Sequence, residues 1–110
     1  MGVSGPRRGD VYLVELDPTR GAEIRKTRPC VVVSPDDLNE FWGTLTVAPL
    51  TTGSHAYPFR VPCRFAGKNG FVLLDQLRAV DRSHLTKRAG RLHEVTLTRI
   101  LLLLQEIFAV

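Results

Sequence analysis

The stretch EIRKTRPCVVVS sets three cations, Arg25, Lys26 and Arg28, directly before a run of strand-forming residues. A guanidinium is planar, stays charged, and grips two phosphate oxygens at once. Asp17-Pro18 and Gly21 supply turn chemistry ahead of the cations, and Pro29 fixes the backbone just after Arg28. That is a good way to hold an arginine in one place, although the usual fate of a charge run is a solvated loop. Thr51 and Thr52 come at the end of a second apolar run, TLTVAPL, where hydroxyls can face the same ledge. The three histidines, His55, His84 and His93, show no metal-ligand spacing, and the chain has no Walker loop, G-x-S-x-G or G-x-G-x-x-G. Asp36-Asp37, the adjacent carboxylate pair, reads as turn chemistry in SPDDLN. The expectation is therefore no metal site, no cofactor and no hydrolytic triad. Chemistry would fall to Arg, Lys, Thr, Ser, His and backbone donors.

These groups need a scaffold. With 110 residues, 44% of them hydrophobic, the chain has the size of one domain, 1–110, with a small core. A formal charge of +4 and a pI near 9.6 favour a polyanionic partner without requiring one. Cys30 and Cys63 sit in apolar runs and read as core thiols of a reduced cytosolic protein, with a disulfide as the alternative. MGVSGPRRGD lacks an apolar leader, and its Pro6 stands where a myristoylation pattern needs Ser or Thr. The ILLLL run is too short to span a bilayer.

Residues 1–8 read as a flexible arm. Strands are expected over 9–16, 28–34 and 44–50, separated by a loop over 17–27 and a second loop that carries a helical turn. Pro29, lacking an N–H, should mark a strand start or an edge. FRVPCRF alternates Phe59, Val61, Cys63 and Phe65 against Arg60 and Arg64, the pattern of a half-buried strand, and Pro62 makes it an edge. AGKNG reads as a hairpin turn, and FVLLDQLRAVD as a strand pair or one bent strand. The period then changes. Leu97, Ile100, Leu101, Leu104 and Phe108 fall at helical spacing, while Leu102, Leu103 and Ile107 widen the apolar arc. A helix so apolar needs cover on more than one side, from its own sheet or from a second copy of the chain. Several strands and one helix make a mainly β (α+β) domain, a small antiparallel barrel or sheet with a C-terminal helix.

In order, spacing and residue type, RGDVYLVELDPTRGAEIRKTRPCVVVSPDDLN, then TVAPLTT, then VLLDQLRAVDRSHLTKRAGRL resemble the MazF/PemK family of toxin endoribonucleases. The resemblance runs from about Arg8 to the C-terminal helix. It implies an SH3-like barrel of the MazF/PemK/CcdB toxin type, a cytoplasmic homodimer, and metal-independent cleavage of single-stranded RNA at short motifs. The products would carry a 2′,3′-cyclic phosphate and a 5′-hydroxyl. It also implies a cognate antitoxin that lays an acidic, partly disordered segment across the dimer, and no membrane partner. The family's catalytic arginine falls on Arg28 of KTRP, and its catalytic threonine on Thr51 of PLT. Its RNA-contacting loops match 17–27, with Arg20, Glu23, Arg25, Lys26 and Thr27, and 52–57, with Thr52 and His55.

Such a reaction builds negative charge on non-bridging phosphate oxygens, which Arg28 can meet with forked donors. Thr51 can hydrogen-bond the phosphate. Arginine is a poor base at neutral pH. An imidazole is the kind of group that could accept the proton, but His55, on a loop, reads first as an RNA contact or plain surface. Two rival classes stay open. One is a gyrase poison of the same fold acting through its C-terminal helix. The other is a nucleic-acid-binding module without catalysis.

Overall fold

A computed structural model describes residues 5–16, 26–53 and 55–110. Within them the chain forms β1 (Asp10–Leu16), β2 (Lys26–Val32), α1 (Asp36–Phe41), β3 (Thr44–Thr51), β4 (Arg60–Phe65), β5 (Lys68–Leu73), β6 (Arg78–Asp81), β7 (Leu85–Arg91) and α2 (Glu94–Ile107). The strands make one antiparallel sheet in the order β4-β5-β3-β2-β1-β7, with β6 also on β3. A 3₁₀ turn, Arg82–His84, links β6 to β7, so the two ends of the β6-β3-β2-β1-β7 run are contiguous in the chain. This is the expected mainly β architecture with a C-terminal helix.

The alternation of side chains along the strands divides the core in two. On one face, Val14, Cys30, Val32, Leu45, Val47 and Val80 cluster with Tyr12, Leu16 and Leu85 packed against them. On the other, Val11, Val31, Val33, Ala48, Leu50, Val61 and Val72 meet Leu92 and Ile100. Helix α2 covers that second face. Its Leu97 and Ile100 are buried, while Val95, Leu102 and Phe108 stay exposed. The wide apolar arc thus exceeds what the chain's own sheet covers. His93 caps the helix, its Nδ1 accepting from the Val95 N–H at 3.5 Å.

Several boundaries differ from the sequence expectation. Strand β2 begins at Lys26, so Pro29 lies within it and pairs with Leu13 of β1. Strand β3 joins β2 only from Cys30 onward. At Pro29 the strand has a partner on one side, which is where a missing N–H costs least. The proline-bearing strand β4 is terminal in the sheet, as alternation indicated, but Phe59 precedes it and is exposed. The hairpin after β4 turns on Ala66 and Gly67, both at positive φ, and Gly70 belongs to β5. Residues 71–81 are indeed bent: a 3₁₀ turn, Leu74–Gln76, separates β5 from β6, and both pair with β3. Strand β7 had no counterpart in the sequence reading.

Of the arm expected over 1–8, Pro6 is buried and Arg7 and Arg8 are tied down. The Arg8 Nε donates to the Val33 carbonyl at 2.7 Å and its N–H to Asp36 at 2.7 Å. Asp10, with a side chain only 6% exposed, accepts from Arg88 at 3.2 Å and Arg91 at 3.3 Å. It also takes the Arg7 N–H at 2.9 Å. A buried carboxylate must be paired, and this one fastens β7 to β1.

Candidate nucleic-acid interface and active site

The last β2–β3 pair is Cys30 with Pro49. Beyond it β2 continues on β1 alone, down to Lys26, and β3 pairs on its other side with β5, Leu50 on Val72 and Thr51 on Phe71. The strands therefore part and leave a fork. Extended two residues past that last pair, the same register would run Arg28 against Thr51. Alternation puts Arg28 on the face of Cys30 and Val32, and Thr51 on the face of Leu45 and Val47, which is the same face. Both side chains are half-buried.

The Thr51 hydroxyl accepts from the Gly53 N–H at 3.4 Å, a long bond that leaves its proton to donate. Gly70 lets Thr51 come this close to β5. A Cβ there would lie 2.0 Å from the Thr51 carbonyl oxygen. Beneath the fork, Cys30 is fully buried and burial pushes its thiol up to about 12, against the opposite pull of Arg28 and then Arg78. It is an inert packing group.

Of the other expected site residues, Thr27, Thr52 and His55 are exposed around the fork's strand ends and the following loop. Lys26 opens β2. Arg20, Glu23 and Arg25 lie outside the described residues. A groove of about 430 Å³ starts at Thr52 and runs along Pro62, Arg64, Asn69, Gly70 and Thr96. Among the described residues no group of three His, Cys, Asp or Glu side chains could hold a metal. No helix among them is long and apolar enough to cross a membrane.

Sequence reasoning missed three contributors. Arg78, in the LDQLRAVD motif, opens β6 opposite Val47, on the face that carries Arg28. Gly70 passed for turn chemistry. Tyr57 ends the loop that leaves Thr51, with its ring under the Arg60 guanidinium at 4.7 Å. Their signals are registers and contacts, which a sequence does not display.

Comparison with known proteins agrees with this fold. The chain is 39% identical over 75 residues to the endoribonuclease toxin MazF of Escherichia coli (strain K12), covering 68% of each chain. A crystal structure of MazF from Deinococcus radiodurans superposes with a TM-score of 0.80 at 26% identity, over 98% of this chain and 100% of that one. A MazE–MazF crystal structure from the same organism gives 0.80 at 28% identity, over 93% and 94%. The model of the PemK-like, MazF-like toxins of type II toxin–antitoxin systems matches residues 7–108, and the chain belongs to that family.

Proposed function

We propose that this toxin cuts single-stranded RNA at the β2–β3 fork, using the substrate's own 2′-hydroxyl as nucleophile. That it is a type II toxin endoribonuclease follows from its family and its curated relatives. The same membership speaks against a gyrase poison and a silent binding module. The single observation that supports the fork as the site is the common face and register of Arg28 and Thr51.

The roles follow from the reaction. As the 2′-oxygen attacks phosphorus, the 5′-oxygen leaves and charge builds on the non-bridging oxygens. Arg28, pinned between Thr27 and Pro29 in a paired strand, offers two N–H donors already in place. The Thr51 hydroxyl donates to the same phosphate and fixes the in-line angle. In this reading the chain's own cations and hydroxyls carry the charge stabilisation. Products are a 2′,3′-cyclic phosphate and a 5′-hydroxyl. Thr27, Thr52 and His55, with Lys26 at the start of β2 and Arg20, Glu23 and Arg25 before it in the sequence, contact RNA beyond the scissile phosphate.

Two partners belong to this reading. An acidic antitoxin segment covers the basic fork; MazE–MazF crystal structures of relatives support an antitoxin as partner. A second copy of the chain covers the exposed side of α2. Action on RNA fits a cytoplasmic toxin. The test is to incubate the purified protein with a random single-stranded RNA pool and sequence the new 5′ ends, beside Arg28→Ala. Recurrent cut motifs that disappear in the variant support the fork. Equal cutting by the variant removes it.

A further inference from the structure

The loop that leaves Thr51 returns to the sheet through a rigid aromatic device. The Arg60 Nε and Nη2 donate to the two carboxylate oxygens of Asp75 at 3.2 and 3.1 Å. This planar fork holds the guanidinium over the Tyr57 ring, 4.7 Å from its centroid. The backbone repeats the fixation. The Tyr57 carbonyl accepts from the Arg60 N–H at 3.1 Å across Pro58, and the Phe59 carbonyl accepts from the Leu74 N–H at 3.1 Å. Side chain and main chain both tie the loop's end to the 3₁₀ turn that carries Asp75. The Arg60 hydrogen bond holds the Asp75 carboxyl below its usual range, so the clamp is charged at neutral pH. Yet the Tyr57 residue it steadies is 55% exposed.

A fixed but exposed aromatic ring is poor economy for a fold and good design for a stacking surface. A cation on one face also polarises the ring and stiffens it at little entropic cost. Position matters as well. Val61 pairs with Val72, which pairs with Leu50, so the strand that Arg60 opens lies two strand spacings, about 10 Å, from β3 at the residue before Thr51. A nucleotide flanking the phosphate at Thr51 reaches that far.

We propose that Tyr57 is a stacking platform for an RNA base beside the cleavage point, and that Arg60 and Asp75 are positioning residues which hold its ring. The inference rests on the endoribonuclease reading above and adds a determinant of substrate affinity to it. Stacking tolerates any base, so Tyr57 anchors the strand and leaves base choice to hydrogen-bonding groups nearby.

The test uses a defined RNA oligonucleotide containing one cut motif. Tyr57→Ala should raise KM roughly 5- to 150-fold, the range of one lost base–aromatic stack, with a much smaller change in kcat. Tyr57→Phe, which keeps the ring, should recover the greater part of that loss. An abasic nucleotide at one flanking position should cancel the parent's advantage over Tyr57→Ala. Asp75→Asn should raise KM by about 2- to 5-fold in the parent and leave it unchanged in Tyr57→Ala, as coupling through the ring requires. An unchanged KM in Tyr57→Ala, or no coupled abasic position, overturns the platform. If Arg28→Ala is inactive in the same assay, the cleavage site survives that failure. A parent protein that cuts no RNA overturns both.

Discussion

Cys30 faces Pro49 across β2 and β3, and this pair is the last before the two strands part. The parting creates the site. Paired strands run about 4.8 Å apart, too close to admit a phosphate between them. Diverging strands open a gap while each keeps a partner on its other side, β1 for Arg28 and β5 for Thr51. Donors on such strands are both accessible and preorganised, which is the condition for electrostatic catalysis.

Arg28→Lys should damage the enzyme far more than a kept charge implies. Lysine loses the planar fork, and one lost transition-state donor lowers kcat by about 10²–10³-fold. RNA affinity should fall much less, because phosphate attraction is shared among many cations. Single-turnover cleavage and a binding titration separate the two. Parental cleavage by Arg28→Lys would reduce Arg28 to bulk charge.

Gly70→Ala should act on catalysis through Thr51. The added Cβ would lie 2.0 Å from the Thr51 carbonyl oxygen and 3.1 Å from the Thr52 Cα, so backbone must move. Overpacking of this kind costs about 1–3 kcal/mol of stability. A displaced Thr51 hydroxyl should lower kcat by at least about tenfold, since misplacement by an ångström is costly. Thermal unfolding and kcat are the readouts. A variant with parental values of both would show that the close approach is unnecessary.

Much of this fold could be read from the chain. The change of period announced α2, the alternation around Pro62 announced a terminal strand, and the Asp-Gln within 71–81 falls at the bend. Strand β7 was hidden because LTKRAGR keeps only Leu85 and Gly90 partly covered, so neither alternation nor an apolar run betrays it. It is held by pairing to β1 and by the Asp10 ion pairs, which are long-range facts. The site shows the same division. Arg28 and Thr51 were legible as motif positions, but their shared face depends on the β2–β3 register. Nor could Arg60 be told from a solvated charge until Asp75 and Tyr57 were placed beside it.

The cysteines give a pH prediction. Burial raises the Cys30 thiol from 9.0 to about 12 and also raises that of Cys63, which is half-buried. A raised thiol pKa means that the folded state disfavours the thiolate. The associated stability is complete below pH 9 and is lost as pH climbs towards 12, a change on the order of 4 kcal/mol for Cys30 alone. At pH 8 iodoacetamide should label Cys63 slowly and Cys30 only after denaturant is added, as mass spectrometry of peptides can show. Fast native labelling of Cys30 would mean that the fork opens to its floor.

The exposed side of α2 predicts self-association. Leu102 is 59% exposed and Val95 62%, beside Arg99 and Glu106 in a groove against β4. Small domains often complete their core by dimerising. The parent should sediment as a dimer at micromolar concentration, and Leu102→Lys should weaken the dimer by about tenfold or more. A stable parental monomer would leave this apolar arc to some other partner.

The nucleophile is the sharpest point to test. In-line attack on phosphorus needs an oxygen opposite the leaving 5′-oxygen. With Arg28 and Thr51 as the site's donors, the candidate already in position is the neighbouring 2′-hydroxyl. Cleavage should therefore survive excess EDTA. A single 2′-deoxy nucleotide on the 5′ side of the scissile phosphate should abolish it, while binding persists because the phosphates remain. RNA locked in a duplex should resist, since its backbone cannot splay and its bases cannot unstack. The fragments should carry a 2′,3′-cyclic phosphate, visible by mass. Activity that disappears with EDTA and returns with Mg²⁺ would reveal a metal-dependent route. Cutting of the 2′-deoxy substrate would make water the nucleophile, and the Thr51 hydroxyl would then have to orient that water rather than the phosphate.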